Sequence, residues 1–436
     1  METKDLKFGE LDEGFTIKEA IEEAKRCLNC KNPLCIKGCP IENNIPGFIH
    51  QLSMGNIGAA MHNNNEKRNH PAISGPECPH EKQCVGHCVL NAKKRPIQVG
   101  KLERFAADFD GNMGLIRDKI PQKTRGKVAV IGSGPAGLTV AGDLAREGFN
   151  VMIFEGEQEA GGVLMYGIPE YRLPKDVVRK EVKKIEALGV TFITQCMVGQ
   201  AITVDDMFEQ GFDAVFIGSG TALPKSLDTP GYTLRGVTQS SYFLRMASLC
   251  NTGSIGREEV PVKQGDIVGV IGGGNVAMDA ARTALRMGAG KVYVLFRRTM
   301  DQMSALQTEY NEAVEEGVEF LWETTVTEFI GSNGKLEKIR VKTPEGENFM
   351  PIDRILLAIG SRPANRIVST TSGIEVDDTG YVITKERPYG MTTRKGVFAG
   401  GDVVHTPQTV VLAMKEAKQV AKGIAQFVDA KKLLEE

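Results

Sequence analysis

No apolar run in this sequence approaches the roughly 18 residues that a membrane-spanning helix needs. The charged start, METKDLKFGE, has no apolar core that could serve as a secretory leader. Neither sign of charge dominates: 53 Lys and Arg stand against 55 Asp and Glu, a net of -2. That balance excludes a bulk electrostatic pull toward nucleic acid or an acidic membrane. No low-complexity linker interrupts the chain. These absences predict a cytoplasmic protein with neither nucleic-acid nor membrane partners. The composition, 41% hydrophobic and 25% charged over 436 residues, is that of a globular protein with roughly three domains.

Cysteine is scarce outside one region. Seven of the nine (Cys27, Cys30, Cys35, Cys39, Cys78, Cys84 and Cys88) fall within the first 88 residues, leaving Cys196 and Cys250 as expected core residues. A reducing compartment and a long chain argue against a disulfide frame. The stretch RCLNCKNPLCIKGCP has the spacing C-x2-C-x4-C-x3-C-P, close to the ferredoxin run in which the fourth cysteine serves another cluster. The second group is Cys78-x5-Cys84-x3-Cys88. Seven thiols cannot complete two four-cysteine sites, so one ligand has to come from elsewhere. Zinc is the alternative, since C-x2-C pairs occur in zinc sites and His62, His70, His80 and His87 lie near in sequence. The short x4 and x3 spacings crowd the ligands onto one loop, which suits a cluster wrap better.

Residues 1–120 also lack strand-like runs and read as a small helical domain. In TIKEAIEEAKRC, Thr16 and Glu19 have capping-box spacing, and IPGFIHQLSMGNIGAAMH reads as a helix or a helix pair. From residue 127 the texture changes. KVAVIG is a short buried strand, GLTVAGDLAREG a helix, and NVMIFEG a second strand: a βαβ unit. The same grammar returns in DIVGVIGGGNVAMDAARTALRMGAGKVYVLFRR.

The first turn, GSGPAG, places Gly132, Gly134 and Gly137 in G-x-G-x-x-G spacing, with Glu155 closing the next strand. The glycines allow a tight turn, close approach of a pyrophosphate and close helix–strand packing, and the acid suits a ribose without a 2′-phosphate. The second turn, GGGNVA, has Gly272, Gly274 and Ala277, but its strand runs into Arg297 and Arg298. Two guanidinium groups there suit a 2′-phosphate, hence NADPH over NADH. In GVFAGGDVVHTPQTVV, Gly400, Gly401 and Asp402 follow a strand and precede a long helix.

On these motifs residues 127–436 resemble the two-dinucleotide flavoprotein oxidoreductases, with GVFAGGD as their second FAD motif. With the cysteine region, VIGSGPAGLTVAGDLAREGFNVMIFEGEQEAGGVLMYGIPEYRLP and VIGGGNVAMDAARTALRMGA, nearly the whole chain resembles the small (beta) subunit of NADPH-dependent glutamate synthase. It is similar as well to the NADPH-binding subunit of electron-bifurcating ferredoxin:NADP oxidoreductases and to the N-terminal half of dihydropyrimidine dehydrogenase. The resemblance implies an α/β fold: a helical [4Fe-4S] domain (1–120), an FAD domain in two parts (121–235 and 356–436), and an NAD(P)H domain (236–355) inserted in it. DRILLAIGSRP would be the strand that returns the chain to the FAD domain.

The resemblance also implies the ligand sets. Cys27, Cys30, Cys35 and Cys88 would hold one cluster. Cys39, Cys78 and Cys84 would hold the other, with Glu103 in PIQVGKLERF as the oxygen donor; Gln98 and the histidines are rivals. FAD would lie on Gly132, Gly134, Pro135, Ala136, Gly137, Glu155, Gly401 and Asp402, and Gly162, Gly167, Arg172 and Thr409 are further expected cofactor-binding residues. NADPH would lie on Gly272, Gly273, Gly274, Asn275, Val276, Ala277, Arg297 and Arg298. One departure is Gln302-Met303-Ser304, where the family often has Glu-Met-Pro.

The implied chemistry is hydride transfer from NADPH to FAD and single-electron transfer through two [4Fe-4S] clusters to a partner, with no acid–base triad. The partner would be a glutamate synthase large subunit, which reduces 2-oxoglutarate plus glutamine to glutamate, or a small flavin and iron–sulfur subunit of a bifurcating enzyme. The expected assembly is a hetero-oligomer. Residue 2 is Glu, not the N-terminal cysteine of glutamine amidotransferases of this type, and no pyrimidine-binding domain is visible. The third reading is a non-enzymatic zinc- and nucleotide-binding regulator.

Overall fold

The computed structural model describes residues 14–65, 67, 69–114, 120–407 and 409–435, so the charged start METKDLKFGE lies outside the described residues. These residues form two compact units. One contains Tyr166–Pro174 and Pro224–Ser361. The other contains residues up to Met165, Lys175–Leu223 and Arg362–Glu436.

The larger unit begins with helices Ile17–Lys25, Ile45–Ser53, Ile57–Asn65, Pro71–Glu77 and Val99–Met113. Their boundaries follow local chemistry. The Thr16 hydroxyl accepts from Glu19 N–H, and the Glu19 carboxylate accepts from Thr16 N–H at 2.8 Å, closing the capping box. Met54–Asn56, with Gly55 in the left-handed region, splits the expected helix pair. Ile45, Phe48, Ile49, Leu52 and Leu102 form a core with Cys39, Cys78 and Cys84.

Beyond residue 120 this unit is built on a sheet of seven strands among the described residues. Lys127–Ile131 sits between Asn150–Phe154 and Ala214–Ile217, with Thr191–Ile193 and Val397–Ala399 flanking them, all parallel. The central strands Lys127–Ile131 and Ala214–Ile217 and the neighbouring Val397–Ala399 are buried along almost their whole length, as parallel strands covered on both faces must be, while the edge strand Thr191–Ile193 is not. Helices Pro135–Arg146 and Val410–Glu435 cover one side and pack together.

The smaller unit repeats the pattern. Ile267–Ile271 lies between Lys291–Leu295 and Arg354–Leu357, flanked by Glu319–Leu321 and Val237–Gln239, again all parallel. Thr325–Ser332, Lys335–Thr343 and Gly346–Pro351 add an antiparallel sheet.

The unit boundaries differ from the sequence expectation of 236 and 355. Leu227, Tyr232 and Leu234 pack into the smaller unit's core, which draws the boundary back to Pro224. Arg354–Leu357, read in sequence as the returning strand, is an interior strand of the smaller unit's sheet, and the chain returns at Ser361–Arg362. A fully apolar strand needs two neighbours, and Ile355–Leu357 finds both there.

Candidate redox site

Cys27, Cys30, Cys35 and Cys88 line one cavity, walled by apolar side chains including Pro33, Ile45 and Ile49. All nine cysteines are free thiols. Burial pushes the Cys27 thiol up, and pushes Cys35 up to about 11, with charge on the other cysteines adding to both shifts. A thiol so disposed releases its proton only when a metal takes the sulfur. The donor set, four thiols around one dry space, suits a cluster.

The second group is deeper. Cys39, Cys78 and Cys84 are all buried. Helix Val99–Met113 packs so closely on Pro71–Glu77 that a Cβ on Gly75 would stand 3.1 Å from the Gly100 carbonyl oxygen. Glu103, one turn beyond Gly100, is fully buried, whereas Gln98 at the start of that helix is exposed. Three of the four histidines have other partners, and His62 is exposed. His80 bridges the Gly75 carbonyl, at 2.6 Å, and Cys84 Sγ, at 3.4 Å; His87 lies 2.7 Å from the Gln83 carbonyl; His70 meets Glu181 at 3.0 Å. Cys196 and Cys250, expected in the core, are partly buried and pack against separate apolar clusters.

In the first glycine-rich turn the positions differ in what they require. Gly132 has φ +93, a left-handed value that penalises any Cβ. At Gly137 a Cβ would stand 1.9 Å from the Gly132 carbonyl oxygen, while at Gly134 it would meet nothing within 4 Å. The backbone is thus closed on the protein side and open on the ligand side. No side chain caps the helix that starts at Pro135 and continues through Ala136, so its positive end is available to an anion. Gly162 folds against this turn, its missing Cβ 2.9 Å from Gly134 Cα. Glu155 is buried and fixed: it accepts from Ser133 N–H at 2.9 Å, from the Ser133 hydroxyl, and from Glu157 N–H at 2.9 Å. Its remaining lone pairs can serve a ribose hydroxyl.

The tail motif meets the same turn. A Cβ on Gly401 would lie 3.0 Å from Ala136 Cβ, and Gly401 N–H donates to Glu416 at 2.8 Å. Glu416 also meets His405 Nε2 at 2.8 Å. Asp402 lines a cavity of about 200 Å³ with Glu416 and His405. Thr409 Oγ1 is buried with no hydrogen bond to any described residue, as a group reserved for a ligand would be. Of the other expected flavin residues, Gly167 is half-buried, and Arg172 is held by Asp279 at 2.9 Å and Glu309 at 3.0 Å, within the smaller unit.

In the second turn a Cβ on Gly272 would stand 2.4 Å from the Ala358 carbonyl oxygen, and one on Gly273 2.4 Å from the Phe296 ring. The helix from Asn275 again has no side-chain cap. Asn275 Oδ1 accepts from Leu306 N–H at 2.9 Å, Val276 is exposed and Ala277 is buried. Arg297 and Arg298 are exposed just past the strand, and neither forms an ion pair among the described residues. Both Ser304 and Ala305 donate their N–H to the Gly273 carbonyl at 3.0 Å. That accounts for the departure from Glu-Met-Pro: Ser304 supplies an N–H that proline lacks.

Sequence reasoning missed Ser133 and Glu416 and marked Ser304 only as a departure from Glu-Met-Pro. Ser133 could have been found as the polar neighbour that a buried Glu155 needs. Ser304 and Glu416 act through backbone groups distant in sequence, and nothing local announces them.

Residues 126–417 match the family described as pyridine nucleotide-disulphide oxidoreductase, and residues 4–115 match dihydropyrimidine dehydrogenase domain II, 4Fe-4S cluster. The chain is 34% identical to the glutamate synthase [NADPH] small chain of Halomonas elongata, over 98% of this chain and 94% of that one. It is 32% identical to the NAD-dependent dihydropyrimidine dehydrogenase subunit PreT of Escherichia coli K12, over 96% of this chain and 97% of that one. The structure of Mycobacterium tuberculosis FprA in complex with NADPH shares the fold, at a TM-score of 0.60 and 18% identity over 71% of this chain and 86% of that one. The expected architecture, the cofactor set of FAD, NADPH and [4Fe-4S], and the oxidoreductase class agree with these matches. The chain belongs to the pyridine nucleotide-disulphide oxidoreductase family, in the branch that carries an amino-terminal [4Fe-4S] domain and includes the glutamate synthase small chains.

Proposed function

We propose that this chain is the electron-input subunit of a glutamate synthase-type complex. It takes hydride from NADPH and delivers single electrons to a partner subunit that forms glutamate from 2-oxoglutarate and glutamine. When bound, FAD accepts a hydride and releases electrons singly, and [4Fe-4S] clusters take one electron each. The chain's own residues position these groups. Gly132, Gly134, Gly137 and the uncapped helix end receive the FAD pyrophosphate, Glu155 the ribose, and Asp402 and Thr409 the remainder of the flavin. Gly272, Gly273, Gly274 and Asn275 receive the NADPH pyrophosphate, and Arg297 and Arg298 its 2′-phosphate. Cys27, Cys30, Cys35 and Cys88 ligate one cluster; Cys39, Cys78, Cys84 and Glu103 ligate the other. Full burial favours Glu103 over Gln98 as the oxygen donor. The observation that carries the reading is that Cys88, distant in sequence, joins Cys27, Cys30 and Cys35 around one cavity in the same compact unit as the flavin turn.

The test is Cys35→Ser in anaerobically purified protein. NADPH should still bleach the flavin absorbance while electron delivery to the partner falls at least tenfold. Flavin reduction that collapses while FAD stays bound would overturn this order of transfer. A second reading, the same input half feeding a different acceptor, is favoured by the comparable similarity to the dihydropyrimidine dehydrogenase subunit. The mass of the co-purifying subunit separates the two.

A further inference from the structure

The two cysteine groups differ in exposure, and the surface over the outer one has an unusual composition. Cys39, Cys78 and Cys84 are buried, while Cys27, Cys30, Cys35 and Cys88 are only partly so. Three aliphatic side chains that line the outer cavity also face solvent: Leu28 is 61% exposed, Leu34 43% and Val89 42%. Each follows or precedes a cysteine directly, so none can be withdrawn without moving a ligand.

Along the sequence, the segments that carry these cysteines are one-sided in charge between the acids that bound them, Glu22, Glu23, Glu42, Glu81 and Glu103. Residues 24–41 and 82–102, which carry all four of these cysteines, hold nine Lys and Arg and no Asp or Glu, in a chain whose net charge is -2. Arg26 and Lys25 are answered by Glu23 and Glu22. Lys31, Lys37, Lys82, Lys93, Lys94 and Arg95 are exposed, and none of their side chains pairs with an acid among the described residues. Thiolates inside the cavity offset some of this charge, but six solvated cations on the outer surface exceed what local ligand balance requires. An apolar centre with a charged rim is the anatomy of a protein interface, and one sign of charge steers a partner of the other.

We infer that the mouth of the Cys27–Cys30–Cys35–Cys88 cavity is the docking surface for an acidic electron-accepting protein. Leu28, Leu34 and Val89 form its dry centre and Lys31, Lys93, Lys94 and Arg95 its steering rim. The inference rests on the functional reading above and adds to it the place of exit and the charge of the partner.

The probe is one haem protein in two charge states: native cytochrome c, which is basic, and fully succinylated cytochrome c, which is acidic. In the holoenzyme each NADPH oxidised to NADP+ and a proton reduces two ferric haems to ferrous, one electron apiece. At low ionic strength the succinylated form should be reduced at least tenfold faster than the native one. It alone should co-elute with the holoenzyme on gel filtration. Both differences should vanish in high salt, as the Debye length falls from about 30 Å at 0.01 M to about 3 Å at 1 M. Lys31→Glu, Lys93→Glu and Arg95→Glu together should reverse the preference while NADPH bleaches flavin and iron–sulfur absorbance at the unaltered rate. Leu28→Gln should raise the KM for the succinylated form severalfold. Iron–sulfur absorbance that NADPH fails to bleach would overturn the functional reading and this inference with it. Bleached clusters with equal, salt-insensitive rates for the two cytochromes would overturn the docking surface alone, with no variant needed.

Discussion

The two dinucleotide turns share one register yet prepare opposite surfaces. In the first unit Ile131 pairs with Phe154, and in the second Ile271 pairs with Leu295, so Glu155 and Phe296 are equivalent positions. Gly132 N–H donates to Phe154 O at 2.8 Å and Gly272 N–H to Leu295 O at 3.3 Å, which fixes the equivalence. The residues facing them also swap: Ser133 hydrogen-bonds Glu155, whereas Gly273 packs on the Phe296 ring. One pair offers buried negative charge. The other offers an apolar floor with Arg297 and Arg298 just beyond it. A single backbone design thus presents an acid after one strand and an apolar floor with two arginines beyond it after the other.

The helices that follow differ as well. Pro135–Arg146 is buried largely through small and aliphatic residues against Val410–Glu435. Asn275–Arg286 instead buries Arg282 and Arg286. Arg282 bonds Glu316 at 2.7 Å and Glu312 at 2.5 Å, and Arg286 bonds Glu316 at 2.9 Å. Both guanidinium groups stack over Tyr171, at 4.7 and 4.0 Å, and burial raises the Tyr171 hydroxyl well above its ordinary pKa. A buried network of this kind is costly to break at one member.

The largest effect should come from making the first turn resemble the second. Gly137→Ala introduces the residue that the second turn tolerates as Ala277, but here its Cβ would meet the Gly132 carbonyl at 1.9 Å. The purified variant should contain essentially no FAD by absorbance, whereas Ala277→Gly should cost only about 1 kcal/mol in stability, from helix propensity.

Next comes the charge at the ribose. Arg297→Ala with Arg298→Ala should raise the KM for NADPH at least about 100-fold, the loss of two charge-assisted bonds worth about 1.5–3 kcal/mol each. The KM for NADH should move less than threefold. Equal losses for both nucleotides would remove these arginines from phosphate recognition.

The smallest effect separates the helices. Burial alone would raise the Glu316 carboxyl, but hydrogen bonds from Arg286 and Arg282 outweigh it and hold the carboxyl below its ordinary value. A depressed folded pKa contributes stability above the unfolded value of about 4.3 and loses it as pH falls through the folded one. The smaller unit should therefore unfold in acid with a protonation step that Glu316→Gln abolishes. The emission of Trp322, the only tryptophan in the sequence, reports this directly.

Much of this was legible before any coordinates. The Thr16–Glu19 box, both glycine-rich turns and the long final helix lie where local rules put them, because each is specified by residues within a few positions of one another. The domain edges were not. Leu227, Tyr232 and Leu234 fall inside the segment 121–235 expected for the flavin domain, and only the fold shows the core they enter. The partners of Arg172, Asp279 and Glu309, lie more than a hundred residues away, where no local pattern points.

The sequence by itself determined the chemistry: seven clustered thiols, two phosphate-binding turns, an acid after one strand and arginines after the other. Spacing along the chain is enough for that, since each motif closes on itself. Only the tertiary structure decided depth. It left Cys27, Cys30, Cys35 and Cys88 near solvent beside exposed Leu28, Leu34 and Val89 and sank Cys39, Cys78 and Cys84 into the core. Burial depends on which distant helices close over a residue, and no local spacing encodes it.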